Sequence, residues 1–403
     1  MNITFLGGLF PKEYEDEIYK KSINHMQTAA NVMQWRFVDG IESAFNQNLN
    51  IITFPFVGAF PHRYRDSIIR SKKFSHHQGC EDYMVGFCNI TIIKHLNICH
   101  KMKSTIKEWV KHLNKNETNI LIAYSCYMGA ALSYAKCCYP ELKTLLIVPD
   151  LPQFTSLGSR NLFLNLYRKI KSNKFYRTVR NNKIDKYIFL TYYMADELGV
   201  KSTDYDVVEA IADKSLICKY ASFPKNDNTI TILYTGTLSI KYGILELIQE
   251  FKLIRDERYR LIICGGGNGS DKVQSECLSD KRIQFLGLVS QEEAHSLRCN
   301  ADILVNPRRN IDAYTKYSFP SKIMEYLLTG KPVICYRLDG IPKEYDNVLI
   351  YAEECEGGLC KAIEEVAIMD KDKKKDLYNK TISFIAQKTP EKQCEKIRKL
   401  LVE

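Results

Sequence analysis

Residues 315–334, TKYSFPSKIMEYLLTGKPVI, read as a loop, a short helix and a buried strand. Ser318 can cap the helix, Pro320 suits its first turn, where a missing amide hydrogen costs nothing, and Gly330 followed by Pro332 stops it. A helix start leaves backbone N–H groups without partners, and the aligned peptide dipoles favour an anion there. Ser321 and Lys322 stand in that first turn, as a diphosphate cradle requires. Glu325, four residues beyond Ser321, shares the same face, and its carboxylate can accept hydrogen bonds from the two vicinal hydroxyls of a ribose. The ordered set Ser318, Pro320, Ser321, Lys322 and Glu325 is therefore expected to hold a nucleoside diphosphate.

Around this segment, short apolar runs at residues 231–234, 259–264, 283–285, 303–306 and 332–336 alternate with helix or turn signals. The first half repeats the logic, with runs at 3–6, 51–54, 119–123, 144–148 and 186–190 and a helical period over 92–113. Strands separated by helices imply parallel sheets covered on both faces. The expected fold is α/β, with two Rossmann-like doubly wound domains facing across a cleft where the carboxyl ends of both sheets meet one ligand. The expected division is a first domain over 1–200, a linker region over 201–228 that ends in a polar stretch, a second domain over 229–375, and terminal helices over 376–403 returning to the first domain. No repeat of 20 to 50 residues is present, which excludes solenoids and propellers.

A chain of 403 residues suits two domains of about 150 to 200 residues each. Hydrophobic residues at 45% and charged residues at 26% give the balance of a globular protein. Apolar runs such as 145–148 fall far short of the roughly 20 residues of a membrane helix. The opening MNITFLGGLFP reads as a first strand and not as an export leader. Fourteen cysteines contain no C-x-x-C pair and are expected to be reduced cytosolic thiols. His76, His77 and Cys80 lack a matching second pair and read as surface-loop residues, so no metal is expected.

The ordered segment YSFPSKIMEY, residues 317–326, resembles the signature of retaining glycosyltransferases of the GT-B fold, in particular family 4-like members of the bacterial polysaccharide type. The resemblance implies transfer of a sugar, of hexosyl type, from a nucleotide-diphosphate donor with retention of configuration, without a metal cofactor. Members commonly carry two glutamates eight positions apart here; Glu325 matches the second, and Tyr317 stands at the place of the first. Residues 234–243, YTGTLSIKYG, resemble the family's glycine-rich turn, where an Arg and a Lys meet the leaving diphosphate; Thr237 and Tyr242 occupy those positions. A developing diphosphate needs positive groups or oriented donors, so Arg308 and Arg309 in VNPRRN join Lys322 as the expected substitutes. Residues 264–270, CGGGNGS, only loosely fit a dinucleotide fingerprint and instead resemble the family's second strand and turn. In the first half, Gly7 and Gly8 end the first strand where backbone would approach the donor, a simple tight turn being the competing reading. Residues 144–152, TLLIVPDLP, resemble a strand that in relatives ends in a His before an Asp. Here Pro149 holds the His position, and Asp150 is the candidate that orients the acceptor hydroxyl, with helix capping as its competitor. Lys322 and Asp150 are thus the expected catalytic pair. A helix over about 391–402 is expected to brace the first domain.

The net charge of +10 is concentrated in residues 160–186, where nine Lys or Arg face one Asp, a local +8. Leu162, Leu166 and Ile170 recur every four residues while Arg168, Lys169, Lys171 and Lys174 fill the remaining surface, the pattern of a cationic amphipathic helix. It points to an anionic membrane surface and a lipid-linked saccharide acceptor on the cytoplasmic face; no nucleic-acid reading motif accompanies it. Two other classes stay open at this point: a non-hydrolysing sugar-nucleotide epimerase, and an inactive relative that only binds nucleotide.

Overall fold

The computed structural model describes residues 1–23, 27–91, 93–154, 172, 173, 175–179, 181, 183–217, 228–311 and 313–403. The chain divides into two compact units, Met1–Glu209 with Pro390–Glu403, and Ala210–Thr389.

The described residues of the first unit form ten strands: β1 (Asn2–Gly7), β2 (Asn50–Thr53), β3 (Ile68–Ile69), β4 (Lys72–Phe74), β5 (Asp82–Met84), β6 (Phe87–Cys88), β7 (Asn119–Tyr124), β8 (Lys143–Val148), β9 (Lys186–Phe189) and β10 (Tyr205–Val207). Eight of them form one sheet in the order β10-β9-β8-β7-β1-β2-β5-β4, and β3 pairs with β6 separately. Within the eight-stranded sheet every pairing is parallel except β4 with β5. Strands such as NILIAY at β7 are buried along their whole length, which is what a parallel sheet covered on both faces demands. The helices α1 (Glu15–Lys21), α2 (Thr28–Phe45), α3 (Lys94–Lys111), α4 (Gly129–Cys138) and α5 (Tyr192–Leu198) connect these strands.

The second unit is smaller and wholly parallel. Its strands β11 (Ile230–Thr235), β12 (Tyr259–Cys264), β13 (Ile283–Gly287), β14 (Ile303–Asn306), β15 (Val333–Cys335) and β16 (Ile350–Tyr351) lie in the order β13-β12-β11-β14-β15-β16. Its helices are α6 (Ile244–Leu253), α7 (Ser270–Cys277), α8 (Gln291–Asn300), α9 (Ser321–Leu327), α10 (Gly358–Ala367) and α11 (Lys371–Ala386). Alternate residues of β11 serve opposite faces: Ile232 and Tyr234 pack with α6, α7 and α10, whereas Leu233 packs with α9 and Ile385. Because the sheet order reverses at β11 and β14, a crevice opens outside the carboxyl ends of these two neighbours, the place where open α/β sheets bind ligands.

The boundaries fall elsewhere than the sequence pattern suggests. Residues 205–207 pair with β9 as an edge strand, so the first unit runs to Glu209, while Ala210 and Ala212 are already part of the second core. The amide of Ala212 donates to the carbonyl of Lys388 at 2.7 Å. Helix α11 stays in the second unit, where Ile385 is fully buried and Phe384 meets Tyr345 edge-on at 4.6 Å. Only α12 (Pro390–Val402) packs in the first unit, against α2: the Cys394 thiol donates to the Phe37 carbonyl at 3.8 Å, and at Gly40 a side chain would collide with the Pro390 carbonyl. No described helix is long and apolar enough to cross a membrane. Arg168, Lys169, Lys171 and Lys174, with the apolar stripe beside them, lie outside the described residues.

Candidate active site

Three loops meet at the crevice of the second unit. After β11 the chain turns at Gly236, whose φ is +151°, and the Lys322 side chain crosses directly over it. A Cβ at Gly236 would lie 2.9 Å from Lys322 Cε. The next turn follows β12 at Gly265, φ +139°, pressed so closely on Gly236 that a Cβ would come within 1.7 Å of the Gly236 carbonyl oxygen. The glycines of CGGGNGS therefore serve close backbone packing at two adjacent strand ends. Gly267 likewise abuts the Leu238 carbonyl, and the dinucleotide reading has no further support.

Helix α9 is fixed to this crevice by Tyr326. Its fully buried hydroxyl accepts the Thr235 amide at 2.9 Å and donates to the Thr235 carbonyl at 3.1 Å, tying the helix to the last residue of β11. Burial pushes that hydroxyl up to about 12, so it remains a proton donor at all physiological pH. The helix starts two residues later than the sequence suggests. Pro320 holds the position before the first helical residue and no side chain caps it, so Ser318 is not the cap. Its hydroxyl instead accepts a hydrogen bond from Arg308 Nη2 at 3.2 Å. Ser321 and Lys322 open the helix as expected, with Ser321 exposed.

Glu325 sits between two cations. Lys322 Nζ lies 3.0 Å from its Oε2, and Arg298 Nη1 lies 3.3 Å from the same oxygen. Glu325 is 37% exposed, whereas the Arg298 side chain is 6% exposed and its Nε has no hydrogen-bond partner. A solvent-facing carboxylate held from below by a buried guanidinium is oriented yet has accepting capacity to spare. Arg298, in the last turn of α8, was not legible as a site residue; an Arg in a polar helix carries no signal that its head reaches another helix.

The two arginines after β14 part company. Arg308 is 9% exposed, its guanidinium lies 5.4 Å from the Tyr242 ring centre and 4.9 Å from that of Tyr314, and its Nε is unpartnered. Tyr242, expected at the place of a cation, thus positions one. Arg309 is committed elsewhere: it pairs with Glu246, stacks 5.0 Å from the Tyr336 ring, and Tyr336 in turn donates to Glu246 at 2.7 Å. Its part in meeting a diphosphate is withdrawn, because its charge is already neutralised. Thr237 is exposed on the turn, with its carbonyl bound by the Tyr234 hydroxyl at 2.8 Å. Tyr317 is buried, with Lys316 Nζ 4.9 Å from its ring centre.

The remaining expected residues belong to the first unit. Gly7 and Gly8 are buried, and the Gly8 amide donates to Gln34 Oε1 at 2.7 Å. Any Cβ at Gly8 would strike the Phe56 ring, so packing already accounts for a glycine here. Asp150 lies exposed just past the carboxyl end of β8, and desolvation by its surroundings raises its carboxyl to about 6. The neighbouring strand β7 is followed by Ser125, where φ is +86° in a residue other than glycine, and the next residue's thiol, Cys126, donates to the Asp150 carbonyl at 3.2 Å. Strain of this kind, about 1–3 kcal/mol, gathers at functional sites, and nothing in the sequence announced it. Twelve described cysteines are free thiols, but Cys299 is disulfide-bonded, which corrects the expectation of reduced thiols throughout.

Residues 229–368 match the family described as Glycosyl transferases group 1, so the second unit carries a domain of that class. Both units together have the GT-B fold of solved glycosyltransferase structures. Sucrose-phosphate synthase from Thermosynechococcus elongatus superposes with a TM-score of 0.66 at 14% identity, covering 99% of this chain and 98% of that one. The lipopolysaccharide outer core galactosyltransferase WaaB in its apo form gives 0.62 at 13% identity, with 99% of each chain covered. HepE from Anabaena in complex with UDP gives 0.59 at 13% identity, covering 100% of this chain and 99% of that one. No curated protein matches the sequence.

Proposed function

We propose that the protein is a retaining glycosyltransferase that takes a hexosyl-type sugar from a nucleotide-diphosphate donor and passes it to a lipid-linked saccharide in cell-surface polysaccharide synthesis. The observation that carries the donor half is the Lys322 side chain laid over Gly236, beside Glu325 held by Arg298, in the crevice at β11 and β14. In this reading the diphosphate rests on the amides of Ser321 and Lys322 and the exposed turn at Thr237, with Lys322 and Arg308 supplying positive charge in place of a metal. Glu325 accepts the two ribose hydroxyls. Gly7 and Gly8 form part of the donor's surroundings through backbone packing rather than the Gly8 amide, which Gln34 holds.

Retention follows if the acceptor hydroxyl attacks the anomeric carbon on the face the leaving group vacates. The bond from the anomeric carbon to the phosphate oxygen breaks, the bond to the acceptor oxygen forms, and the acceptor's proton passes to the departing phosphate. Lys322 stabilises that phosphate, and Asp150 orients the acceptor hydroxyl. The basic residues Arg168, Lys169, Lys171 and Lys174 hold the enzyme against the anionic cytoplasmic face of a membrane, each gaining on the order of 1 kcal/mol there.

Incubation with a panel of nucleotide sugars, with and without lipid-linked acceptors, tests the reading. UDP-sugars come first, since the similarly folded HepE was crystallised with UDP. Acceptor-dependent release of nucleoside diphosphate with an α-to-α or β-to-β product supports it; turnover of donor without acceptor, or an inverted product, rejects it. Failure to sediment with anionic liposomes at moderate salt rejects the membrane part alone.

A further inference from the structure

At the opposite, amino-terminal edge of the first unit's sheet, the fold assembles residues that are far apart in sequence. The loop between β4 and β5 brings His76 and His77 against Glu42, in the last turn of α2. His76 Nε2 lies 3.1 Å from Glu42 Oε1, and His77 Nε2 lies 3.0 Å from Glu42 Oε2. One ligand atom from each of the three falls within 4.8 Å of the others. His76 is no surface-loop residue, since its side chain is 3% exposed; His77, at 49%, leaves one side of the group open to solvent.

We propose that Glu42, His76 and His77 bind one divalent cation of the zinc class, as a structural site whose fourth position is taken by water. A tetrahedral centre with ligands at about 2.0–2.1 Å has ligand-to-ligand edges of roughly 3.3 Å, which small side-chain shifts reach from atoms already within 4.8 Å of one another, each imidazole nitrogen lying 3.0 or 3.1 Å from its nearer Glu42 oxygen. The supporting contacts are those a metal site uses to aim its ligands. Asp82, with a fully buried side chain, receives His76 Nδ1 at 2.6 Å and the His76 amide at 2.8 Å on one oxygen, which turns His76 Nε2 toward Glu42. Its other oxygen accepts the Ile51 amide at 2.8 Å, and Glu42 Oε1 accepts the Leu49 amide at 3.0 Å. The bound ion ties the end of α2 to the β4–β5 hairpin, away from the carboxyl ends where substrate chemistry belongs.

The test is a titration of the full chain, freed of metal by chelator, with Zn²⁺ in competition with a chromophoric indicator. The expected result is saturable binding of one ion per chain, a higher melting temperature, and at least a ~10-fold loss of affinity in both His77→Ala and Glu42→Gln. His77 is half exposed, so His77→Ala keeps the fold, which circular dichroism checks. His100→Ala, on an exposed histidine in the middle of α3, leaves affinity unchanged. Co²⁺ in place of zinc gives visible bands of nitrogen and oxygen ligation without a thiolate charge-transfer band. Absence of one-to-one binding, affinity unmoved by His77→Ala, or a thiolate band at one equivalent overturns the site.

Discussion

Arg298→Met separates positioning from stability. The wild-type side chain is 6% exposed, and its Nη1 lies 3.3 Å from Glu325 Oε2, while Nε is buried without an acceptor. Methionine fills similar volume, removes a buried charge and removes the unsatisfied Nε. The partner left behind is 37% exposed and keeps Lys322 at 3.0 Å. Removing one partner of an ion pair is costly when it strands a buried charge; here the charge left behind is solvent-exposed and still paired with Lys322, so unfolding free energy should change by less than about 1 kcal/mol. Donor affinity should nevertheless fall. A hydrogen bond to a charged group is worth about 1.5–3 kcal/mol, and with Lys322 still in place roughly half of that orientation is lost. About 0.75–1.5 kcal/mol corresponds to a ~4–13-fold rise in the dissociation constant for a nucleoside diphosphate, measured by isothermal titration calorimetry. Glu325→Gln and the double variant complete a cycle: if Arg298 acts through Glu325, the double variant binds no worse than Glu325→Gln alone. Additive losses, or unchanged binding in Arg298→Met, refute the reasoning.

Other outcomes follow from the same geometry. Tyr326→Phe leaves the buried Thr235 amide without its acceptor and should cost about 1–3 kcal/mol in urea unfolding, with weaker donor binding because α9 loses its tie to β11. Arg308→Ala should raise the donor dissociation constant by ~10-fold or more, whereas Arg309→Ala should act on stability through Glu246 and Tyr336 and leave donor binding within about twofold. Desolvation by its surroundings raises the Asp150 carboxyl to about 6, so it carries its charge above that pH and loses it below. If the charged form orients the acceptor, transfer rate falls as pH drops through 6, and Asp150→Asn gives a low rate with that limb absent.

Much of the second unit was legible because a parallel sheet writes itself as apolar runs with helices between them, and because Pro320, Gly330 and Pro332 fix where a helix can begin and end. The register of the site followed from that: Ser321, Lys322 and Glu325 are spaced by the helix itself. What depends on contacts between separate elements was not legible. Ser318 looks like a cap in sequence, but the helix begins after Pro320 and the hydroxyl turns to Arg308. Arg308 and Arg309 are adjacent and chemically alike, and only the neighbours at Tyr242 and Glu246 distinguish them. The strain at Ser125 and the grouping of Glu42 with His76 and His77 arise from backbone path and from residues more than thirty positions apart.

The central claim is that the start of α9 holds a diphosphate and that Glu325 holds the ribose of the same nucleotide. Calorimetric titration of UDP, GDP and other nucleoside diphosphates into the wild-type chain and Glu325→Ala tests it most directly. The account predicts saturable one-to-one binding of at least one of them, weakened by ~30-fold or more in the variant through loss of two hydrogen bonds to a charged acceptor. Equal binding by both proteins, or no binding of any nucleoside diphosphate at millimolar concentration, contradicts it.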